Sequence, residues 1–104
     1  MSDEYRPCAD FITRLVVRAA RRTDYERWRP LWDGYNHFYG RSGPTALPEQ
    51  VAATTWARFH DPAEPIRALI AAADATIVGL AHYLYHRSTT RLHEVCYLQD
   101  LFYG

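Results

Sequence analysis

Hydrophobic and polar positions alternate in four short segments of the chain and follow a helical period in two others. The four strand-like segments span residues 14–20, 66–73, 76–86 and 94–103 and combine alternation with β-branched and aromatic residues. This combination is typical of half-buried strands. Both helical segments lie between the first and the second strand-like segment. The pattern therefore predicts the order strand, helix, helix, strand, strand, strand.

The first helical segment carries an aromatic stripe. Its members are Tyr25, Trp28, Trp32, Tyr35 and Tyr39, at steps of 3, 4, 3 and 4 residues, so they line one face of a helix. Thr23-Asp24-Tyr25-Glu26 has the spacing of a capping box, which predicts that the helix begins there. Pro30 lies inside the segment and lacks a backbone donor, so a kink is expected.

The later segments are separated by short breaks. Pro48 suits the first position of the second helix, and Asp61-Pro62 ends it. Residues 66–73 and 76–86 are separated only by Asp74-Ala75, which predicts an antiparallel hairpin although Asp-Gly is the favoured turn. Gly79 within the second of these strands marks a candidate β-bulge.

Composition and charge narrow the class of protein. The 104 residues predict one domain, residues 14–104, after a flexible leader, residues 1–13. No apolar run is long enough to span a bilayer, and the N-terminus lacks the apolar region of a secretory signal, so a cytoplasmic protein without membrane contact is expected. Net charge is zero and the first thirty residues hold seven Arg against five acids, which argues against nucleic-acid binding.

The element order and three segments resemble the N-terminal portion of the GNAT superfamily of N-acetyltransferases, in its polyamine- and small-amine-acetylating branch. The segments are "VVRAARRTDYERWRPLWDGYNHFYG", "IVGLAHYLYH" and "CYLQDLFYG", the last being the most specific. The resemblance implies an α+β fold in which helices pack on a mostly antiparallel sheet. It also implies acetyl-CoA as co-substrate and a primary amine, on a small molecule or a peptide, that attacks the thioester directly.

Residue roles follow from the same resemblance. It implies that the backbone of Leu101, Phe102 and Tyr103 contacts the pantetheine arm of acetyl-CoA, which adds to the sheet like a further strand. Gln99 occupies the position where relatives often carry a carboxylate that deprotonates the attacking ammonium. Because Gln accepts no proton, its expected role is to position a water molecule or the amine.

One part of the family pattern is missing from these residues. The family binds the pyrophosphate of coenzyme A with a glycine-rich turn at a helix N-terminus. None of the five glycines forms a Gly-x-Gly motif; they are Gly34, Gly40, Gly43, Gly79 and Gly104. We therefore expect a truncated domain that is inactive alone. The alternative is a non-catalytic module that self-associates through its exposed fourth strand, because an unpaired apolar edge is a template for association.

Single candidate residues have a structural and a functional interpretation. Trp32, Tyr35 and Tyr39 are candidates for a wall that receives a cationic amine, although core packing is favoured for a helical aromatic stripe. Asp100 is expected on one strand face with Leu98 and Phe102, held by a neighbouring backbone group or Arg in preference to acting in catalysis.

The histidines and cysteines predict neither a metal site nor a disulfide. His82 and His86 are four residues apart on a strand, about 13 Å from each other, which is too far to share a metal. His37, His60 and His93 are expected at the surface. Cys8 and Cys96 are expected to stay reduced in a cytosolic protein.

Overall fold

The computed structural model describes residues 15–104 of the protein. Three features of the sequence lie outside these residues: the flexible leader predicted at 1–13, Arg14 at the start of the first strand, and Cys8. Cys96 is exposed. Within the described range, no helix is long and apolar enough to cross a membrane.

Two helices and one four-stranded antiparallel sheet form the fold, which confirms the predicted α+β order. The elements are β1 (Leu15–Ala19), α1 (Tyr25–Phe38), α2 (Glu49–Phe59), β2 (Ile66–Ala73), β3 (Thr76–His86) and β4 (Val95–Tyr103), with 3₁₀ turns at Arg22–Asp24 and Gly43–Thr45. The sheet order is β1-β2-β3-β4. Strands that follow one another in the chain are therefore neighbours in the sheet, as short connections favour.

Both helices pack on the same face of the sheet. The ring centroid of His82 on β3 lies 5.8 Å from that of Trp28 on α1 and 4.5 Å from that of Phe59 on α2. Aromatic side chains dominate this core, and Trp28 is completely buried. The aromatic stripe of α1 is thus largely the core face of the helix, as the helical period favours.

The start of α1 depends on Asp24 and not on the predicted capping box. Thr23 and Glu26 are exposed, whereas Asp24 is fully buried. The Asp24 carboxylate accepts two hydrogen bonds from Arg18 of β1, at 2.8 and 3.1 Å, and one from the Arg21 backbone N–H at 2.7 Å. The position where α1 begins is therefore set by the ion pair between Asp24 and Arg18 of β1, which the capping-box motif does not reveal.

Two β-bulges interrupt the central and edge strands. The first bulge lies in β3. Gly79 pairs with Ala71 of β2 and Ile77 pairs with Ala72, so Val78 is the additional residue, next to the predicted bulge position at Gly79. In β4, His82 pairs with Asp100 and Tyr83 pairs with Leu98, so Gln99 is the additional residue.

The bulge at Gln99 corrects the predicted face of Leu98. Paired residues share a face of an antiparallel sheet, so Asp100 lies with His82 on the helix face while Leu98 lies with Tyr83 on the opposite face. Asp100 is accordingly buried and Leu98 is exposed. The expectation that both share one face was wrong because an additional residue inverts the alternation.

The sheet face away from the helices is apolar and open in the described part of the chain. Val17 and Leu101 are both 64% exposed, and Tyr103 is 84% exposed. These three side chains border a cavity of about 220 Å³ whose other lining residues are also apolar. Exposed apolar surface of this kind is typical of surfaces that contact other proteins.

Candidate active site

β4 forms an open edge of the sheet, because β3 is its only partner among the described strands. The Gly104 backbone N–H donates to the Val78 carbonyl at 3.0 Å, so Gly104 faces β3. Backbone groups of successive residues point to opposite sides of a strand. The backbone of Phe102 therefore also faces β3, and Leu101 and Tyr103 direct theirs outward.

Gln99 lies within this open edge, two residues before Leu101. It is the bulged residue of β4, and its side chain is exposed. A bulge leaves a backbone group outside the regular ladder and redirects the local side chain. The bulge and the outward-facing backbone of Leu101 and Tyr103 thus lie in sequence along one edge.

A buried hydrogen-bonded chain links α1 to β4 through β3. Trp28 Nε1 donates to His82 Nε2 at 3.0 Å, and His82 Nδ1 lies 2.9 Å from Asp100 Oδ2. An indole N–H only donates, so Nε2 of His82 is the acceptor and carries no proton. His82 is then a neutral imidazole whose Nδ1–H donates to the Asp100 carboxylate.

Tyr35 borders the same carboxylate. Burial alone would raise the pKa of Asp100, but the hydrogen bonds from His82 and Tyr35 hold that pKa below its ordinary value. For Tyr35, burial and the Asp100 carboxylate raise the pKa of the phenol to about 12. Asp100 is therefore an ionised carboxylate that accepts from two neutral donors, which fits the structural role favoured for it over catalysis. A backbone group or an Arg was expected as its partner, whereas the partners are His82 and Tyr35.

The predicted aromatic wall divides into a buried and an exposed part. Trp32 is only 8% exposed, and its ring is stacked between Trp28 at 5.6 Å and Tyr35 at 5.3 Å. Tyr35 is 9% exposed, whereas Tyr39 is 58% exposed. Of the three predicted residues, Tyr39 alone presents most of its ring to solvent.

A groove of about 330 Å³ brings the end of α1 and the end of β4 together. Its lining residues are Tyr35, Phe38, Tyr39, Leu101, Phe102 and Tyr103. Gln99 and Trp32 do not line it. The two elements approach closely at Gly34, where a Cβ would lie 3.1 Å from the Phe102 ring.

Arg41 is a residue of this region that sequence reasoning missed. Its guanidinium carbon lies 5.8 Å from the centroid of the Tyr35 ring and 5.6 Å from that of the Tyr39 ring. Its Nε donates to Asn36 Oδ1 at 2.7 Å, which fixes the side chain. Arg41 lies in the loop after α1 and has no motif around it, so only the folded chain identifies it.

The histidines are placed differently from one another. His82 is buried, and His86 is exposed with its Nδ1 near the Arg87 carbonyl. His60 was expected at the surface but is half-buried against Trp56, where burial lowers its pKa. Among residues 15–104, no cluster of three or more His, Cys, Asp or Glu side chains is arranged to hold a metal ion.

No family model matches this chain, but a curated protein and several solved structures do. A D-amino-acid N-acetyltransferase of Saccharomyces cerevisiae is 38% identical over 91 residues, which are 86% of this chain and 54% of the yeast protein. The chain therefore spans about half the length of this curated relative.

Solved structures match over a similar share. AAC(6')-Iy, bound to the bisubstrate analog CoA-S-monomethyl-acetylneamine, gives a TM-score of 0.66 at 18% identity over 86% of this chain and 56% of that one. An aminoglycoside acetyltransferase from an uncultured soil metagenomic sample, bound to sisomicin, gives 0.65 at 12% identity over 88% and 57%. Residues 15–104 have the fold of the N-terminal part of a GNAT protein. An integron cassette protein from the mobile metagenome of V. cholerae shares this GNAT fold, with a TM-score of 0.63 at 15% identity over 88% of this chain and 56% of that one.

Proposed function

We propose that this chain forms the N-terminal half of an N-acetyltransferase that transfers an acetyl group from acetyl-CoA to a primary amine. The observation that carries the proposal is the open edge of β4, where the bulge at Gln99 is followed by the outward-facing backbone of Leu101 and Tyr103. The 38% sequence identity to a curated N-acetyltransferase supports acetyl transfer. The order of elements agrees with the first part of the GNAT fold in the solved structures.

The edge of β4 offers a binding mode for the pantetheine arm. Pantetheine contains two amide groups, and an extended ligand with amides binds a free strand edge through main-chain hydrogen bonds. Leu101 and Tyr103 supply such groups, whereas the backbone of Phe102 is directed to β3. The Phe102 side chain instead lines the adjacent groove, with its ring centroid 6.2 Å from that of Tyr35.

The reaction is a direct attack of the amine on the thioester. The amine nitrogen forms a bond to the acetyl carbonyl carbon, the carbon–sulfur bond breaks, and coenzyme A leaves as the thiolate. The nitrogen loses one further proton to become the amide, and the thiolate takes up a proton to become the thiol. The ammonium must first lose a proton, and Gln99 cannot accept it. Gln99 positions the amine or a water molecule, and solvent or a group outside residues 15–104 takes the proton.

The groove beside β4 is the proposed acceptor site. Tyr35 and Tyr39 form its wall, while Trp32 supports Tyr35 from the core. The yeast relative is named for D-amino acids, which supports a small-molecule acceptor. The polyamine class and the cytoplasmic location stay predictions of the sequence.

Pantetheine binding is tested with acetyl-pantetheine, which lacks the nucleotide, on the ¹⁵N-labelled chain by NMR. We expect shifts of the Leu101 and Tyr103 amides, with no change at Val16 on the opposite sheet edge. Tyr103→Pro removes one outward-facing N–H and is expected to weaken binding, because Pro is tolerated on an edge strand but donates no hydrogen bond. Shifts distributed over both edges, or unchanged binding by Tyr103→Pro, would contradict the proposed site.

The 104 residues alone are proposed to be inactive. They contain no Gly-x-Gly motif, so no glycine-rich turn of the family type is available for the coenzyme A pyrophosphate. Titration calorimetry with acetyl-CoA is expected to give no binding at micromolar concentrations. Micromolar affinity for this chain would show that another element replaces the turn.

A second candidate function is self-association through β4. Its edge is open, and Leu98, Leu101 and Tyr103 are each more than half exposed. A second copy of the chain that pairs at this edge would satisfy the outward backbone groups and cover apolar surface. The same groups then cannot bind pantetheine, so self-association and cofactor binding are mutually exclusive at this edge.

A further inference from the structure

Arg41 places a positive charge at the aromatic wall. Its guanidinium lies within 6 Å of the ring centroids of both Tyr35 and Tyr39, at 5.8 and 5.6 Å. A cation at this distance is attracted by the ring and occupies the surface that a ligand cation would use. The wall that the sequence predicts for a cationic amine therefore already has a cation of its own.

The guanidinium keeps unused hydrogen-bond donors. Nε donates to Asn36 Oδ1 at 2.7 Å, and within residues 15–104 no carboxylate oxygen lies within 4.0 Å of the two terminal nitrogens. By contrast, the neighbouring Arg29 is paired with both Asp33 and Glu49. Arg41 is thus held in place through one nitrogen while the other two remain available.

There is also space beside the guanidinium. Arg41, Asn36 and Ser42 help to line a cavity of about 260 Å³ between α1 and the loop that leads to α2. This cavity is separate from the groove beside β4, and Arg41 connects the two because its guanidinium lies over Tyr35 and Tyr39 of the groove. The Asp100 carboxylate feels the charge of Arg41, but it is buried and already accepts a hydrogen bond from His82. It therefore leaves the Arg41 donors free.

We propose that Arg41 binds a carboxylate of the acceptor, so that the substrate class is an amino acid and not a polyamine. A guanidinium with two free terminal nitrogens matches a carboxylate in a bidentate arrangement. A polyamine brings a second positive charge close to Arg41, and like charges repel. This proposal rests on the proposed acetyltransferase function and specifies its acceptor.

Three ligands of similar size distinguish the effect of a carboxylate on the ligand from the effect of a second ammonium group. Alanine carries a carboxylate, alaninamide replaces it with a neutral amide, and 1,4-diaminobutane carries a second amine. We expect NMR titration of the ¹⁵N-labelled chain to give about tenfold tighter binding of alanine than of the other two, as one charge-assisted pair provides. The shifts are expected at the Arg41 Nε–H and at the amides of Tyr39 and Ser42.

Variants provide the second comparison. Arg41→Met is expected to abolish the preference for alanine over alaninamide, and Arg41→Lys to retain part of it, because Lys keeps the charge but not the bidentate geometry. Arg58→Met is the matched control, since Arg58 lies on α2 in an exposed pair with Glu64. The comparison of ligands in the unaltered chain needs no variant to fold.

The outcomes distinguish this proposal from the proposed function. Equal affinity for alanine and alaninamide, or an unchanged preference in Arg41→Met, overturns the role of Arg41 and leaves amine acetylation in place. Tightest binding of 1,4-diaminobutane overturns the amino-acid class in favour of polyamines. No binding of any amine removes both the acceptor site and the proposal built on it.

Discussion

Asp24 shows how one buried charge joins two elements of this protein. Its carboxylate is fully buried and accepts hydrogen bonds from Arg18 of β1 and from the Arg21 backbone, and it also contacts Arg27 of α1. A carboxylate in such surroundings has every acceptor position used. Removing its charge leaves the half-buried Arg18 guanidinium without a carboxylate, which is the costly way to disturb an ion pair.

Asp24→Asn is therefore expected to lower the free energy of unfolding by about 3 kcal/mol. Asp33→Asn is the matched control, because Asp33 pairs with Arg29 at the exposed surface, and a change below about 1 kcal/mol is expected there. Urea denaturation followed by tryptophan fluorescence measures both. Equal effects of the two substitutions would show that the buried pair has no special weight.

Asp24 and Asp100 both contribute to the loss of stability at acid pH. The hydrogen bond from Arg18 lowers the pKa of Asp24. Burial raises the pKa of Asp100, but the hydrogen bonds from His82 and Tyr35 lower it by more, so the net change is downward. A carboxyl whose folded pKa lies below its unfolded value stabilises the fold above the unfolded pKa and loses this contribution as pH falls through the folded pKa. We expect the free energy of unfolding to decline below about pH 4.

The variant that lacks both carboxyl groups checks this assignment. Asp24→Asn combined with Asp100→Asn is expected to show a shallower decline in the acid range, although its stability at neutral pH is lower. Urea denaturation at a series of pH values gives the slope for each protein. An unchanged slope would assign the acid sensitivity to other groups.

His82 is expected to contribute more to stability than its neighbour Asp100. His82→Leu leaves the Trp28 indole N–H and the Asp100 carboxylate buried without their partner, at a cost of about 2–4 kcal/mol. Asp100→Asn retains an oxygen that accepts from His82 Nδ1–H, so a loss of about 1 kcal/mol is expected. Chemical denaturation of the two variants gives the order, and the reverse order would contradict the neutral His82 tautomer.

At the scale of elements, α1 continues through Pro30. Pro30 lies inside the helix and its ring is exposed. Proline has no N–H for the carbonyl four residues earlier, that of Glu26. The helix tolerates this loss because its aromatic face is packed on the sheet, where burial supplies most of the stability of a helix.

Pro30→Ala is expected to raise the free energy of unfolding by about 1–3 kcal/mol, since the regained backbone hydrogen bond exceeds the added entropy of the unfolded chain. Pro48→Ala is the control. Pro48 lies at the N-cap of α2, where no helical hydrogen bond is missing, so no gain is expected. Thermal unfolding by circular dichroism compares the two. A loss of stability in Pro30→Ala would mean that the proline ring makes contacts of its own.

Most element boundaries could be predicted because they depend on residues close together in sequence. β2 and β3 have the predicted bounds, and β4 begins one residue later than predicted, at Val95. The bulge at Gln99 could not be predicted, because it results from pairing with β3, 16 positions away between Tyr83 and Gln99. Its consequence was a wrong face for Leu98.

At the scale of the whole molecule, one face of the sheet carries both helices and the other is open in the described residues. The open face is apolar across all four strands, from Val17 on β1 to Leu101 and Tyr103 on β4. An apolar surface next to a free strand edge favours association with another chain.

We expect the 104-residue chain to form dimers or larger species at high concentration. Leu101→Lys combined with Tyr103→Lys is expected to shift it toward monomer, because charges on an edge strand oppose pairing. Leu92→Lys is the control, since Leu92 is 93% exposed in the loop before β4. Light scattering over a wide range of concentrations measures the effect. A monomer at every concentration would contradict self-association.

The elements, their order and the resemblance to GNAT N-acetyltransferases could be inferred from the amino-acid sequence alone, since periodicity and short motifs are local properties. Which side chains meet depends on the tertiary structure. Trp28 and His82 are 54 residues apart, and Asp100 joins them after a bulge has turned it to the helix face. Arg41 lies over Tyr35 and Tyr39 because the loop after α1 turns back on that helix. The contacts among Trp28, His82 and Asp100 depend on the register and packing of distant segments, which no local pattern specifies.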